Sequence, residues 1–505
     1  MPRSMIVLCG LLVAPAVFAQ DADNASLRDE NARLRAEVEA LRQTMQRMET
    51  RLEAVENNHA PSPPLGTADT GTAPPAAPSN VANVTGSIAP QAATVAVATP
   101  AMGERISTAT AVGVPPTRLP AQNSVSDPGA GASRVNNAPP PTDPDLKGFF
   151  DVPGTETKIR IGGYAKLDAI ADNHDAGNDT QFIPATFPAG ADDRDHSHFN
   201  MQAQQTRFTF EARRPTEYGS LRFYLENDFF GGDANGYQFH LRHAYGQIGN
   251  TYAGYGYSSF MDADSLPDTL DFAGPGGQMF LLQPGIHQAF PFGEGNSLTI
   301  AGERPQTEIS TASDVAHAKG ATQAPDLIVA LRRERDWGHV QAGLLLRRLG
   351  YTAGKTESHA TGWGLALTGA WSLVGQDLFM ASAVYGRGIA RYLSDTSGSG
   401  LDALVEPDGQ LHALKAWGWY GAYTHYWTTQ WRSNLVYGQA RVPSRKGLAS
   451  TAFDLSDYAA VNMIWSPAPT WTMGVELLHG KLEQQGGNRA NDTRLQGSVQ
   501  YSFIK

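Results

Sequence analysis

The sequence predicts an all-β fold: a sixteen-stranded antiparallel transmembrane β-barrel over residues 148–505, preceded by a short α-helical coiled coil and a disordered linker. Three observations predict it. Apolar and polar residues alternate with a period of two from Thr157 onward, the connections between these segments alternate between short and mostly longer, and Trp residues cluster beside the short ones. Mean hydropathy is −0.33 and no run of eighteen apolar residues occurs, so a membrane-spanning helix is not available. A closed barrel is the other structure that satisfies every backbone hydrogen bond in lipid.

Composition narrows the choice further. A single Cys among 505 residues rules out a disulfide scaffold and a thiolate metal cluster. The net charge of −11 argues against non-specific nucleic-acid binding. Only one aromatic residue, Phe18, precedes Phe149, so the first 145 or so residues lack the apolar bulk for a globular core.

Residues 1–19 read as an export signal: Arg3 supplies positive charge, Ile6 to Phe18 an apolar stretch, and Val17-Phe18-Ala19 a small-residue cleavage pattern. A lipid attachment at Cys9 is disfavoured because Leu8 stands where a small residue is expected. Residues 20–57 carry a seven-residue repeat whose seam is Leu27, Asn31, Leu34, Val38, Leu41, Met45, Met48, Leu52 and Val55, the pattern of a coiled coil. Glu30 and Glu37 precede Arg35 and Arg42 by five residues, a spacing that pairs parallel neighbours, so self-association follows. Residues 58–147 are rich in Pro, Ala and Thr and are expected to be a disordered tether with reach but no fold.

The strands are expected near 157–170, 202–214, 218–229, 236–249, 251–260, 283–292, 296–304, 325–334, 338–350, 361–373, 377–390, 412–426, 430–441, 454–465, 470–481 and 493–503. Seven short links, at Pro215, Asn250, Gly293, Asp336, Val374, Thr428 and Pro467, interleave with eight mostly longer ones. That count needs both chain ends on the short-turn side, which in an outer-membrane barrel is the periplasm. Trp337, Trp371, Trp427, Trp431, Trp465 and Trp471 sit near short turns, where a membrane–water interface favours amphipathic rings.

Several short motifs in order, Gly148-Phe149-Phe150-Asp151-Val152-Pro153-Gly154-Thr155, Ile161 to Ala169, Arg242-His243-Ala244-Tyr245, Ser259-Phe260-Met261-Asp262 and Pro267 to Phe272, resemble the DcaP-like trimeric porins of Gram-negative outer membranes, distant relatives of the phosphate-selective porins. The resemblance spans residues 148–505 and includes a periplasmic coiled coil ahead of the barrel. It implies a homotrimeric channel in the outer membrane that takes up small, often anionic solutes by passive diffusion, dicarboxylates among them. The chain departs from the usual aromatic ending of such barrels: Phe503 is followed by Ile504 and Lys505.

The polar faces of the strands would line the lumen. They carry Lys158, Arg160, Lys166, Arg207, Arg213, Arg222, Arg242, Arg347, Lys415, Arg432 and Arg494, against fewer acids, such as Asp168, Glu211, Glu226 and Glu476. Basic side chains along a narrow wet path favour carboxylate or phosphate solutes. The connection from Met261 to Leu282 is the expected constriction loop, with Asp262, Asp264, Asp268 and Asp271 facing a basic wall to which Arg222 and Arg242 contribute. The run Asp192, Asp193, Asp195, His196 and His198 reads as an exposed loop rather than a metal site, and no cofactor is expected. Two other functional readings remain: a structural protein whose coiled coil and tether reach a periplasmic or cell-wall partner, and, more remotely, a barrel hydrolase, for which no nucleophile motif stands out.

Overall fold

The computed structural model describes residues 148–190, 196–231, 236–312 and 318–503. The expected export signal, coiled coil and linker, residues 1–147, lie outside these, as do Asp192, Asp193, Asp195, Ile504 and Lys505.

Sixteen antiparallel staves close into one barrel. They are β1 (Lys158–Asp172), β2 (His198–Gln202 continuing as Arg207–Thr216), β3 (Gly219–Gly231), β4 (Gln238–Ile248), β5 (Thr251–Tyr257), β6 (Leu282–Phe292), β7 (Asn296–Glu303), β8 (Lys319–Thr322 continuing as Asp326–Arg335), β9 (Gly338–Ala353), β10 (Thr356–Ser372), β11 (Leu378–Arg387), β12 (Lys415–Tyr426), β13 (Trp431–Arg441), β14 (Phe453–Ala468), β15 (Trp471–Gln484) and β16 (Arg489–Ser502). Each pairs with the next, and β16 returns to β1 in a register running from Tyr164↔Ser502 to Asp172↔Arg494. No sheet edge is left along the circumference, which is what a bilayer demands.

Every expected strand is present, most with bounds within three residues. The main difference is at the long-connection side, where the connection expected near 351–360 is a turn at Gly354 and Lys355 with Gly354 at φ +60°. Apolar alternation fades where the wall leaves lipid, but backbone pairing continues, so the two arms run on from Leu349↔Ala360 to Ala353↔Thr356. Periodicity reports burial in lipid, and hydrogen bonding extends past it.

The two faces differ as a membrane barrel requires. On β8 to β10, Leu327, Val329, Leu331, Leu344, Leu346, Leu365 and Leu367 are exposed while Ile328, Ala330, Leu345 and Ala366 are buried inside. An exposed apolar band of this kind marks a surface that meets lipid. At the short-turn end Trp337, Trp427, Trp431 and Trp471 are exposed, and Trp431 stacks on its register partner Trp465 at 5.5 Å.

The interior is partly filled by three inward-folded loops. Residues 173–190 place Phe182 and Phe187 against each other and Phe182 against Tyr458. Residues 258–281 and 388–414 meet at an isolated bridge between Met279 and Leu393, and all three loops contribute to one buried cluster. Phe149 and Phe150 precede β1, with Phe150 paired to Ile159 and the Phe149 ring lying over the Arg160 and Arg213 guanidiniums at 5.0 and 5.6 Å.

Candidate functional site

The loop 258–281 is held to the inner wall by its acids. Asp262 accepts from Arg332 Nη1 on β8 (3.1 Å), His339 Nε2 on β9 (2.8 Å) and Thr368 Oγ1 on β10 (2.8 Å), while Asp264 takes the second Arg332 nitrogen at 2.9 Å. Burial alone would raise the Asp262 carboxyl, but His339 and Arg332 hold it well below the usual carboxylate range. Further along, Asp268 accepts from Arg432 Nε on β13 at 2.6 Å. Glu476 on β15 accepts both the Leu270 and Asp271 amides, at 3.0 and 2.8 Å. Lys166 on β1 and Gln496 on β16 donate to the Leu270 carbonyl, at 2.7 and 3.0 Å. Asp271 itself accepts from the Phe182 and Gly274 amides. Burial pushes its carboxyl up to about 6, although Arg494, those two amides and Lys166 all pull it down.

Close backbone approach completes the anchoring. A Cβ on Gly418 would lie 2.6 Å from the Gly277 Cα, and one on Gly438 2.3 Å from the Gly276 carbonyl oxygen. Only glycine on β12 and β13 lets the loop backbone touch the wall there.

The expectation for the four acids needs a correction. Asp262, Asp264 and Asp268 are spent in ion pairs with the wall against which they lie, and Asp271 on backbone amides, so they position the loop rather than face cations across an open lumen. Loop acids and wall cations in an apolar crevice cost too much to leave unpaired, and the loop folds to pair them.

Arginines gather on the opposite side, on β1 to β4. Glu211 on β2 is shared by three guanidiniums: Arg160 Nη2 at 2.6 Å, Arg213 Nη2 at 2.6 Å and Arg222 Nε at 2.7 Å. Arg222 lies over the rings of Tyr224 and Tyr245, at 5.1 and 5.5 Å, which hold its plane. Next to this group, Arg207 meets Glu226 at 3.3 Å, and Arg242 bridges Glu226 and Asp228 at 3.0 and 3.1 Å. A bulge between Glu226 and Asn227 lets the consecutive residues Arg242 and His243 both turn inward. Phe272 of the loop covers Arg207 and Arg242 at 5.9 and 5.2 Å.

Between this wall and the loop runs a cavity of 30 Å³ lined by Gln205, Arg207, Arg242, Leu266, Pro267, Thr269, Asp271, Phe272, Gly274, Gln278 and Phe280. It is water-sized and brings two guanidiniums and two amide side chains together with an apolar loop face. Nothing in it resembles a nucleophile with its base.

The remaining predicted cations are placed as follows. Lys158 pairs with Asp151 at 2.6 Å. Lys166 and Arg494 are buried beneath the loop tip, beside Asp168 (3.1 Å) and Asp172 (2.7 Å) respectively. Arg347 is bound by Asp326 (3.0 Å) and Asp402 (2.9 Å). Lys415 is a correction: Ala416 is buried inside and Lys415 is exposed on the outer face beside Trp417. The alternating pattern reverses there because β12 starts at Lys415, its side-chain parity being fixed by the inward Ala416, Gly418 and Tyr420. His196 and His198 are exposed, and among the described residues no cluster fit for a metal occurs. Sequence reasoning passed over Asp228, Tyr224, Tyr245 and Gln205; Tyr224 and Asp228 share the inward parity of Arg222 on β3 and could have been read from it, whereas the extra residue on β4 breaks the alternation between Arg242 and Tyr245.

A sixteen-stranded barrel with a lipid-facing exterior, a loop folded into its lumen and an arginine-lined wall is the architecture of an outer-membrane porin. The sequence profile of the porin subfamily matches residues 146–479, and the chain belongs to that family. Among solved structures, the outer membrane channel DcaP of Acinetobacter baumannii shares its fold, with 22% identity, a TM-score of 0.62, and coverage of 70% of this chain and 99% of that one. The anion-selective porin from Comamonas acidovorans is 12% identical, with a TM-score of 0.46 and coverage of 69% and 100%. No curated protein matches the chain. Family and fold are those of a channel in the outer membrane rather than of an enzyme.

Proposed function

We propose that the chain conducts small hydrophilic anions, carboxylate- or phosphate-bearing, by passive diffusion along the β1–β4 side of the inward loop. The observation that carries this reading is the surplus of fixed positive charge on that wall. Arg160, Arg213 and Arg222 share the single carboxylate of Glu211, and Arg207 and Arg242 are matched by Glu226 and Asp228, so in this cluster five guanidiniums face three carboxylates, while Asp168 and Asp172 of the same wall are taken up by Lys166 and Arg494. In a narrow aqueous path such a surplus raises the local anion concentration. Guanidinium planes held against tyrosine and phenylalanine rings keep N–H groups fixed in a fork that suits a carboxylate or phosphate.

Transport here needs no covalent step. An anion entering the wall exchanges water for successive guanidinium contacts, and the carboxylates already present keep each contact weak enough to leave. The resemblance to the DcaP-like trimeric porins supports assembly as a homotrimer. The expected coiled coil, by the same reading, aligns the three chains in the periplasm.

The test is the anion-to-cation permeability ratio in planar bilayers for the wild type and Arg222→Ala/Arg242→Ala. A ratio that falls toward unity in the double variant supports the assignment. An unchanged ratio refutes it.

A further inference from the structure

The outer face carries a cationic site that the solute path does not use. Arg387 ends β11 and Lys415 begins β12; they are register partners, both exposed, and both on the lipid side of the wall. Like charges directly opposite on neighbouring strands sit with Cβ atoms about 5 Å apart and repel. Among the described residues neither has a carboxylate partner. The pair is therefore unfavourable unless an anion outside the chain meets it.

Its level on the barrel says which anion. The two residues adjoin the long loop 388–414, hence lie at the cell-surface end. In the register row, Arg387 faces Trp363 on its other side, and the next row toward the short turns holds Tyr385 opposite Trp417. Leu365 shares that row, and Leu367 follows in the next, where the exposed apolar band begins. Trp and Tyr rings mark the headgroup level of a bilayer, so the cations stand at or just above it. The anions that occupy that level, against the outside of a barrel, are lipid headgroup phosphates.

We propose that Arg387 and Lys415 form a binding site for a phosphate of an outer-leaflet lipid, whose acyl chains lie along the β10–β12 face. A guanidinium and an ammonium converge on one phosphate from adjacent strands, and Trp363 and Trp417 flank the sugar or glycerol portion. The site stands apart from the solute preference proposed above, because its groups point away from the lumen.

The test uses the full-length protein purified in detergent, with native mass spectrometry reading the retention of lipid A bearing two phosphates, of its monophosphoryl form, and of inorganic phosphate. Each cation near an anionic lipid surface contributes about 1 kcal/mol, which is about fivefold in affinity. Arg387→Gln/Lys415→Gln is expected to retain bisphosphorylated lipid A roughly 25-fold more weakly than wild type, with heat-resistant barrel mobility and oligomeric state unchanged, and the monophosphoryl form is expected to bind less well than the bisphosphorylated one. Equal lipid retention by the double variant overturns the proposal. So does displacement of the lipid by millimolar inorganic phosphate, which would make this a free-phosphate site, or a change in oligomeric state without a change in lipid retention, which would make it a contact between copies.

Discussion

Glu211 is the single negative charge among three guanidiniums, and Glu211→Gln isolates what that charge does to permeation. The substitution keeps size and an acceptor oxygen but takes the arginine cluster from five cations and three anions to five and two. A solute anion passing about 8 Å away loses a repulsion of about 0.5 kcal/mol in bulk water and about 2 kcal/mol at an effective dielectric of 20. Salt at 0.1 M, with a screening length of about 10 Å, roughly halves both. The anion-to-cation permeability ratio should therefore rise about two- to fourfold, read from reversal potentials in a potassium chloride gradient across a planar bilayer. Arg213→Gln moves the same local charge the other way and should lower the ratio by a similar factor. Leaving three guanidiniums with one neutral acceptor costs a few kcal/mol of stability, so heat-modifiable mobility must first show that the barrel has formed. If both variants shift the ratio in one direction, or neither shifts it, fixed charge on this wall does not set selectivity and the reasoning fails.

Other perturbations test the supports of that path. Asp262→Ala strips His339 and Thr368 of their acceptor and should free the start of the inward loop, raising single-channel conductance and open-channel noise; an unchanged trace would deny the anchoring role. The Asp271 and Asp395 carboxyls are both pushed up to about 6, chiefly by burial. Since the docked loops then favour the neutral acids, docking is strongest below about pH 4 and weakens as pH rises through about 6. Current noise should accordingly increase between pH 5 and 7.5, and Asp271→Asn should flatten that dependence. Gly418→Val sets a side chain where the Gly277 backbone lies and should displace the loop, so a disulfide-free crosslink or spectroscopic distance between the loop and β12 should lengthen. Deleting residues 24–57 should lower the fraction of trimer recovered in mild detergent if the seam from Leu27 to Val55 supports assembly.

Much of the barrel could be read from sequence because lipid imposes its rule on every strand. Leu365 and Leu367 outside and Ala366 inside are dictated by two solvents at once, and a short turn such as Glu217-Tyr218 is flagged by the Pro215 and Gly219 that flank it. What could not be read is tertiary. Asp262 and Asp264 sit in sequence exactly as a pore-facing acidic loop would, and only the distant Arg332 and His339 decide that they point to the wall. Lys415 shows the cost of a parity error: one residue of slip at a strand start moves a cation from lumen to lipid face. The three arginines about Glu211 come from β1, β2 and β3, and their convergence depends on the register between neighbouring strands, with Arg160 opposite Glu211 and Arg213 opposite Arg222, rather than on a pattern within any one strand. Gly418 and Gly438 were visible as glycines inside strands, but their purpose appears only when the loop backbone is seen against them.

The most direct measurement is the zero-current potential of the purified wild-type protein across a tenfold potassium chloride gradient. The surplus of guanidinium on the β1–β4 wall predicts a potential of the sign that chloride permeation gives, carried by discrete conductance steps. A cation-signed potential, or no steps at all, would contradict it.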